Sequence, residues 1–187
     1  MEEYGTVYTC PEKYKWLVTN DSAFQKGAQY KDDMIGCLYE DELETLKFIR
    51  SYSGIFNDFI DIGAHVGYYT IRLAKYFDRV FAFEPNKKIM NVLRINIQLN
   101  GIHNIIDSQY ALGKERSEAT IIQRGGCSQL VELGRPTSPI FTDLNGFGTV
   151  EQKVTIYPLD KIFMSTESFI VKIDTEGFEP FILEGAA

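Results

Sequence analysis

The stretch Phe59-Ile60-Asp61-Ile62-Gly63-Ala64-His65-Val66-Gly67-Tyr68-Tyr69-Thr70 decides the fold. Its first half is a short apolar run that suits a buried parallel strand. From Val66 to Phe77 the spacing is helical, with Ile71, Leu73, Ala74 and Phe77 on the apolar side. Between the two lies a turn. Gly63 permits a sharp bend without a Cβ clash, and Gly67 lets the helix approach both the sheet and a ligand closely. Ligands of open α/β sheets bind at the carboxyl ends of strands, so this turn is the first candidate site. The helix N-terminus offers N–H groups and a positive dipole end to a carboxylate, while Asp61 suits an ammonium group, directly or through water.

Outward from this turn the chain alternates. Arg79-Val-Phe-Ala-Phe-Glu84 reads as a second strand, and Asn86 caps a helix that runs to Leu99 and stops at Asn100-Gly101. His103 to Tyr110 reads as a third strand, Phe169 to Asp174 as another, and Glu179 to Ala187 as a further helix. Upstream, residues 1–37 form an extension with strand-like pieces at Gly5–Thr9 and Tyr14–Val18. A helix follows from Glu40, with Leu43, Leu46, Phe48 and Ile49 at helical spacing, until Ser53-Gly54 breaks it. Strands alternating with helices imply a doubly wound, mostly parallel α/β sheet with right-handed crossovers. The stretch from Leu112 to Asp160, rich in Gly and Pro, does not fit this alternation and reads as an inserted hairpin or lid, about 113–158, over the carboxyl edge of the sheet. The organisation expected is therefore an N-terminal extension and helix (1–53) packed on a ligand-binding core (54–187). With only about four parallel strands where such sheets commonly have more, and a chain that stops in or just past a helix, a C-terminal truncation is expected.

Glu84 narrows the ligand. It ends the second strand 21 positions after Gly63, where an acid accepts hydrogen bonds from ribose hydroxyls. That indicates a nucleoside without saying which one. The turn discriminates: dinucleotide sites use G-x-G-x-x-G, whereas here the spacing is G-x-x-x-G with an acid two residues ahead of it. An acid there repels a diphosphate and suits a cationic amine, so the reading is S-adenosylmethionine, whose methionine half carries both an ammonium and a carboxylate. A third signal, Ile173-Asp174-Thr175-Glu176-Gly177, again ends a strand and puts two carboxylates at the edge of the cleft. Methyl transfer is an in-line displacement that depends chiefly on positioning. A hydroxyl acceptor also gains from a base, and Asp174 or Glu176 can serve; orienting the acceptor, capping the next helix and binding a metal are the alternatives. His65 is a second candidate base, with shaping of the turn as its structural alternative. Lys172 shares a strand face with Asp174 and can tune its charge.

Composition sets the surroundings. The 187 residues carry a formal charge of −7 and no Lys/Arg run interleaved with aromatics, which disfavours a nucleic-acid partner. The three cysteines are far apart and form no C-x-x-C pair, so neither a zinc site nor a disulfide framework is expected. The acidic N-terminus lacks a signal-peptide core, no apolar run reaches the ~20 residues of a membrane span, and a cytoplasmic protein is the default expectation.

Together these segments resemble the FkbM family of methyltransferases. The resemblance runs from about Tyr39 to the C-terminus without residues 117–149. It is carried by the turn quoted first, by Val80-Phe-Ala-Phe-Glu-Pro-Asn86, Leu93-Arg-Ile-Asn-Ile-Gln-Leu-Asn-Gly101, Ala111-Leu-Gly113 and Pro158-Leu-Asp160. The most specific segment is Val171-Lys-Ile-Asp-Thr-Glu-Gly-Phe-Glu179 leading into Leu183-Glu-Gly-Ala186. It implies a Rossmann-like class I methyltransferase fold and O-methylation of a hydroxyl on a sugar, polyketide or related small molecule. Asp61, Gly63, Ala64, Gly67, Glu84, Pro85 and Asn86 would line the cofactor, with Ala111 and Leu112 near the adenine. Glu40 would reach the active site and the acceptor; on the residue reading His65 joins it there, with Asp174 or Glu176 as the catalytic candidates. The turn departs from the family's in carrying His65 where Asn is usual. The sequence stops before the family's remaining strands; were the chain to end at Ala187, an exposed apolar sheet edge would predict a homodimer or poor solubility. Two rival readings are a non-catalytic nucleoside-binding or regulatory module and, more distantly, a nicotinamide-dependent oxidoreductase.

Overall fold

The computed structural model of the chain describes residues 5–10, 12–19, 40–124, 127–132, 135–136, 150–163 and 168–186. It opens with an antiparallel hairpin, β1 (Gly5–Thr9) and β2 (Lys15–Thr19), followed by helix α1 (Glu40–Ser51). The alternating core then runs β3 (Asp58–Ile62), α2 (Tyr68–Leu73), β4 (Arg79–Phe83), α3 (Lys87–Leu99) and β5 (Ile105–Ser108). A second set of strands comprises β6 (Ala111–Leu112), β7 (Ser117–Arg124), β8 (Cys127–Glu132), β9 (Arg135–Pro136) and β10 (Val150–Tyr157). The short helix α4 (Leu159–Ile162), β11 (Phe169–Ile173) and α5 (Glu179–Glu184) close the described chain.

The parallel sheet has the order β11-β3-β4-β5 among the described residues. The chain steps outward from β3 to β4 to β5, then returns to place β11 on the other side of β3. Strand order reverses there, and such a reversal is where an open α/β sheet forms its ligand crevice. This is the doubly wound α/β architecture of the Rossmann-like class I fold.

Period-two alternation explains the two buried faces. Phe59, Val80 and Ala82 point toward α2 and α3, where they pack with Leu73, Phe77, Met90 and Leu93. Ile60, Ile62 and Phe83 point the other way, into a cluster with Ala119, Ile121, Val154, Ile156, Phe178 and Ile182. That second cluster accounts for the stretch that broke the alternation. Its strands form a five-stranded sheet, β6-β10-β7-β8-β9, in which β10 pairs antiparallel with β7 and parallel with β6. The inner side chains of β7 and β10 therefore belong to the core.

Two differences from the sequence reading bear on the site. The helix expected over 66–77 starts at Tyr68, because Gly67 takes a left-handed φ of 98°, and it tightens into a 3₁₀ turn over Ala74–Tyr76. The third strand expected over 103–110 ends at Ser108, and Ala111–Leu112 pairs instead with β10.

Several side chains bind the N-terminal hairpin to the core, Arg72 and Asn96 among them. Arg72 pairs with Glu12 at 3.1 Å and lies over the rings of Tyr68, Trp16 and Tyr14. Asn96, fully buried on α3, accepts the Leu17 N–H at 2.8 Å and donates to the Val66 carbonyl at 2.9 Å. One side chain thus ties the hairpin to the ligand turn. Asn96→Leu strands a buried donor and a buried acceptor, each costing roughly 1–3 kcal/mol, so a loss of about 2–6 kcal/mol is expected in urea denaturation. A loss below about 0.5 kcal/mol, the size of an ordinary surface change, would show that the tie carries no weight.

Candidate functional site

The turn at the switch point is built by close approach. Gly63 has φ 79°, and a Cβ placed there would sit 1.9 Å from the Asp174 carbonyl oxygen on the neighbouring strand. The Gly63 and Ala64 N–H groups both donate to the Phe83 carbonyl at 3.0 Å, and the Asp174 N–H donates to the Ile62 carbonyl at 3.0 Å. The ends of β4, β3 and β11 are thereby locked together around one glycine.

Asp61 is buried on the α2 face. Its Oδ2 accepts from the Thr70 N–H at 3.1 Å and the Thr70 hydroxyl at 2.6 Å, and its Oδ1 faces Lys172 Nζ at 3.3 Å. Asp61 and Lys172 are direct partners in the parallel register of β3 and β11. Lys172 also reaches Asp174 Oδ2 at 3.5 Å and lies 4.8 Å from the centre of the Tyr69 ring. Burial works against its charge, but the carboxylates of Asp61 and Asp174 outweigh that and hold its pKa above the ordinary lysine value.

Glu84 is buried at the end of β4. Its Oε2 accepts the His65 N–H at 3.0 Å and its Oε1 the Asn86 N–H at 2.8 Å. Burial pushes its pKa up to about 7, against these N–H bonds, which favour the carboxylate. His65 itself takes a positive φ of 51°, an uncommon state for a residue with a Cβ, and its backbone rather than its ring makes the bond to Glu84. Asn86 is the N-cap of α3, its side chain accepting from the Lys88 and Ile89 N–H groups. The Pro85 carbonyl accepts from Gln152 Nε2 at 3.0 Å, and Gln152 Oε1 accepts the Lys87 N–H at 2.9 Å, so β10 clamps the segment that follows Glu84.

The acidic pair follows the end of β11, next to the Gly63 turn. Asp174 is 65% exposed, and Glu176 takes a positive φ of 58° beside Gly177 at 102°. Burial, then the nearby Asp174 and Glu179 charges, raise the Glu176 pKa. Glu179 organises this loop: its Oε1 accepts from the Thr175 N–H at 2.8 Å, the Thr175 hydroxyl at 3.1 Å and the Gly177 N–H at 3.2 Å. Burial opposes its charge, but these backbone donors bring its pKa below the ordinary value.

Asp61, Gly63, Glu84, Asp174 and Glu176 therefore converge on the carboxyl ends of β3, β4 and β11. Ala111 and Leu112 are buried between the two sheets with Ile62, Phe83 and Phe178. Glu40 opens α1, and its side chain lies outside the described residues. Sequence reading missed Thr70, Gln152 and Glu179. Thr70 stands nine positions from Asp61, in the first turn of α2, where its hydroxyl returns to the strand; nothing local marks Gln152. Among the described residues, no three His, Cys, Asp or Glu side chains come together as a metal site. Nor is any helix among them long and apolar enough to cross a membrane.

A nucleoside joined to an amino acid fits these groups. Each Glu84 oxygen accepts one N–H, and a carboxylate oxygen has room for a second donor such as a ribose hydroxyl. The acids and Lys172 at the turn offer partners to both charges of an amino acid.

A family model described as the methyltransferase FkbM domain matches residues 61–187. No curated protein matches the chain. Similar solved structures include the YcgJ protein from Bacillus subtilis (18% identity, 35% of this chain and 29% of that one, TM-score 0.33). TYW2 from M. jannaschii in complex with AdoMet is 24% identical over 56% of this chain and 42% of its own, with a TM-score of 0.38. The tRNA (uracil-54, C5)-methyltransferase of Pyrococcus abyssi, in complex with S-adenosyl-L-homocysteine, is 16% identical over 57% and 24%, with a TM-score of 0.35. The chain spans less than half the length of each of these structures.

Proposed function

The chain belongs to the FkbM family of S-adenosylmethionine-dependent methyltransferases, and from that premise we propose that it methylates a hydroxyl oxygen of a sugar, polyketide or related small molecule. The observation that carries the hydroxyl reading is the acidic pair Asp174 and Glu176 at the carboxyl end of β11, whose backbone at Asp174 packs against the Gly63 turn. A hydroxyl is a weak nucleophile until a base takes its proton, and a carboxylate whose pKa is raised, as that of Glu176 is, comes closer to the task. When bound, the donor supplies an electrophilic methyl on sulfur.

The chain's own groups have separable roles in this reading. Glu84 accepts the ribose hydroxyls, and Pro85 and Asn86 hold it in place. Asp61, through Thr70, fixes the start of α2 against β3. Asp174 or Glu176 takes the acceptor proton, while Glu179 keeps their loop in its left-handed turn. Residues 54–187 act as the donor-binding core, with about 113–158 as the inserted segment.

Two measurements test the reading. Calorimetry should find S-adenosylhomocysteine bound and NAD not; the reverse would make the chain a nicotinamide-binding protein. Labelled-methyl transfer to a panel of glycans and hydroxylated metabolites should find an acceptor, and binding without any transfer would favour the non-catalytic module. With an acceptor in hand, Asp174→Asn and Glu176→Gln are each expected to lower turnover by about 10- to 100-fold, the low end of what a base supplies, because the neighbouring carboxylate remains. Donor affinity should change little. Full turnover in both variants would remove the pair from catalysis.

A further inference from the structure

The carboxylate of the donor's amino-acid half would ordinarily be assigned to the N-terminus of α2. In this chain part of that end is already engaged by the protein's own groups. The Thr70 N–H and hydroxyl go to Asp61 Oδ2, the Gly67 N–H to the Ala64 carbonyl and the Ile71 N–H to the Gly67 carbonyl. A carboxylate of the protein thus already occupies the donors of Thr70 in the first turn. Asp61 is in turn a poor acceptor for the ligand's ammonium, since its other oxygen faces Lys172.

We propose that Lys172 is the residue that receives the donor's carboxylate. Its side chain is 11% exposed and its ammonium lies at the switch point between the two carboxylates. The distances to Asp61 and Asp174, 3.3 and 3.5 Å, are both longer than the ~2.7–2.9 Å of a well-formed charge-assisted bond. An ammonium shared this loosely, with three donors, accommodates a third anionic oxygen without leaving its place. The surrounding acids keep it protonated. They also repel an incoming carboxylate, so a cation at this point is what lets a zwitterionic amino acid enter an acidic cleft. Arg72 and Arg79 are committed elsewhere, to Glu12 and Asp58.

This assignment rests on the donor reading above, and the test separates the two. The probes are S-adenosylhomocysteine and its decarboxylated analogue, which keeps the adenosine, the sulfur and the amine and lacks only the carboxylate. By calorimetry the unaltered protein should bind the analogue about 10- to 100-fold more weakly, the range of one charge-assisted interaction. Lys172→Met should bind the two about equally, and Lys172→Arg should restore much of the difference. An analogue that binds the unaltered protein as well as S-adenosylhomocysteine does overturns the proposal without recourse to any variant. A preference that survives in Lys172→Met overturns it too. Failure of both ligands to bind the unaltered protein overturns the donor reading itself, and the lysine assignment with it.

Discussion

Gly63→Ala is expected to lower the unfolding free energy by about 2–5 kcal/mol and to abolish S-adenosylhomocysteine binding. Two separate costs meet at this position. A left-handed φ of 79° costs a residue with a Cβ roughly 1–2 kcal/mol. The new Cβ would also lie 1.9 Å from the Asp174 carbonyl oxygen, a main-chain atom that cannot rotate away. Asp174 is held by its N–H bond to the Ile62 carbonyl and by the pairing of β11 with β3, so the strands must separate at the switch point. Overpacking of that kind adds roughly 1–3 kcal/mol. Gly101→Ala provides the contrast. Its φ is 62°, yet nothing lies within 4 Å of a Cβ built there, so only the backbone cost should appear. Urea denaturation of the two variants separates the contributions, and a Gly63 variant no less stable than the Gly101 variant would remove the packing argument.

The same glycine shows why part of the site was legible in the sequence. A parallel strand buried on both faces, a glycine turn and an acid at the end of the next strand are local patterns, each contained in about ten residues, and the structure has Gly63 in the turn, Glu84 just after the strand and Asn86 at the helix cap. What escaped is set by pairing over long distances. Asp61 reads as an open acceptor until β11 returns, 111 positions later, to put Lys172 beside it. Gln152 becomes a clamp on Pro85 only because β10 crosses the sheet from 67 positions away. The antiparallel layer was hidden for a related reason. Over their described residues β7 and β10 alternate inward and outward like a surface hairpin, and only the cluster joining Ile121, Val154 and Ile156 to Ile62 and Phe83 reveals that they close the core.

Glu84→Ala is expected to weaken S-adenosylhomocysteine binding by about 1000-fold, since two hydroxyl bonds to a charged acceptor are each worth roughly 1.5–3 kcal/mol. The pH dependence makes the assignment specific. Glu84 holds its proton up to about pH 7 in the folded chain, against an ordinary value of 4.5. Between those values the folded state binds the extra proton, so stability falls as pH rises through the window, by on the order of 3 kcal/mol. Glu84→Gln should abolish that fall. Binding runs the opposite way: hydroxyls that donate to Glu84 favour its ionised form, so affinity should increase as pH rises through about 7 and level off above it. Calorimetry near pH 7 in buffers of different ionisation enthalpy should then register proton release on binding by the unaltered protein and none by Glu84→Gln. An affinity flat across this range, or a Glu84→Ala variant within a few-fold of the unaltered protein, would mean that the buried carboxyl serves only the N–H groups of His65 and Asn86. In that case the ribose would have to be held by other groups at the end of β4.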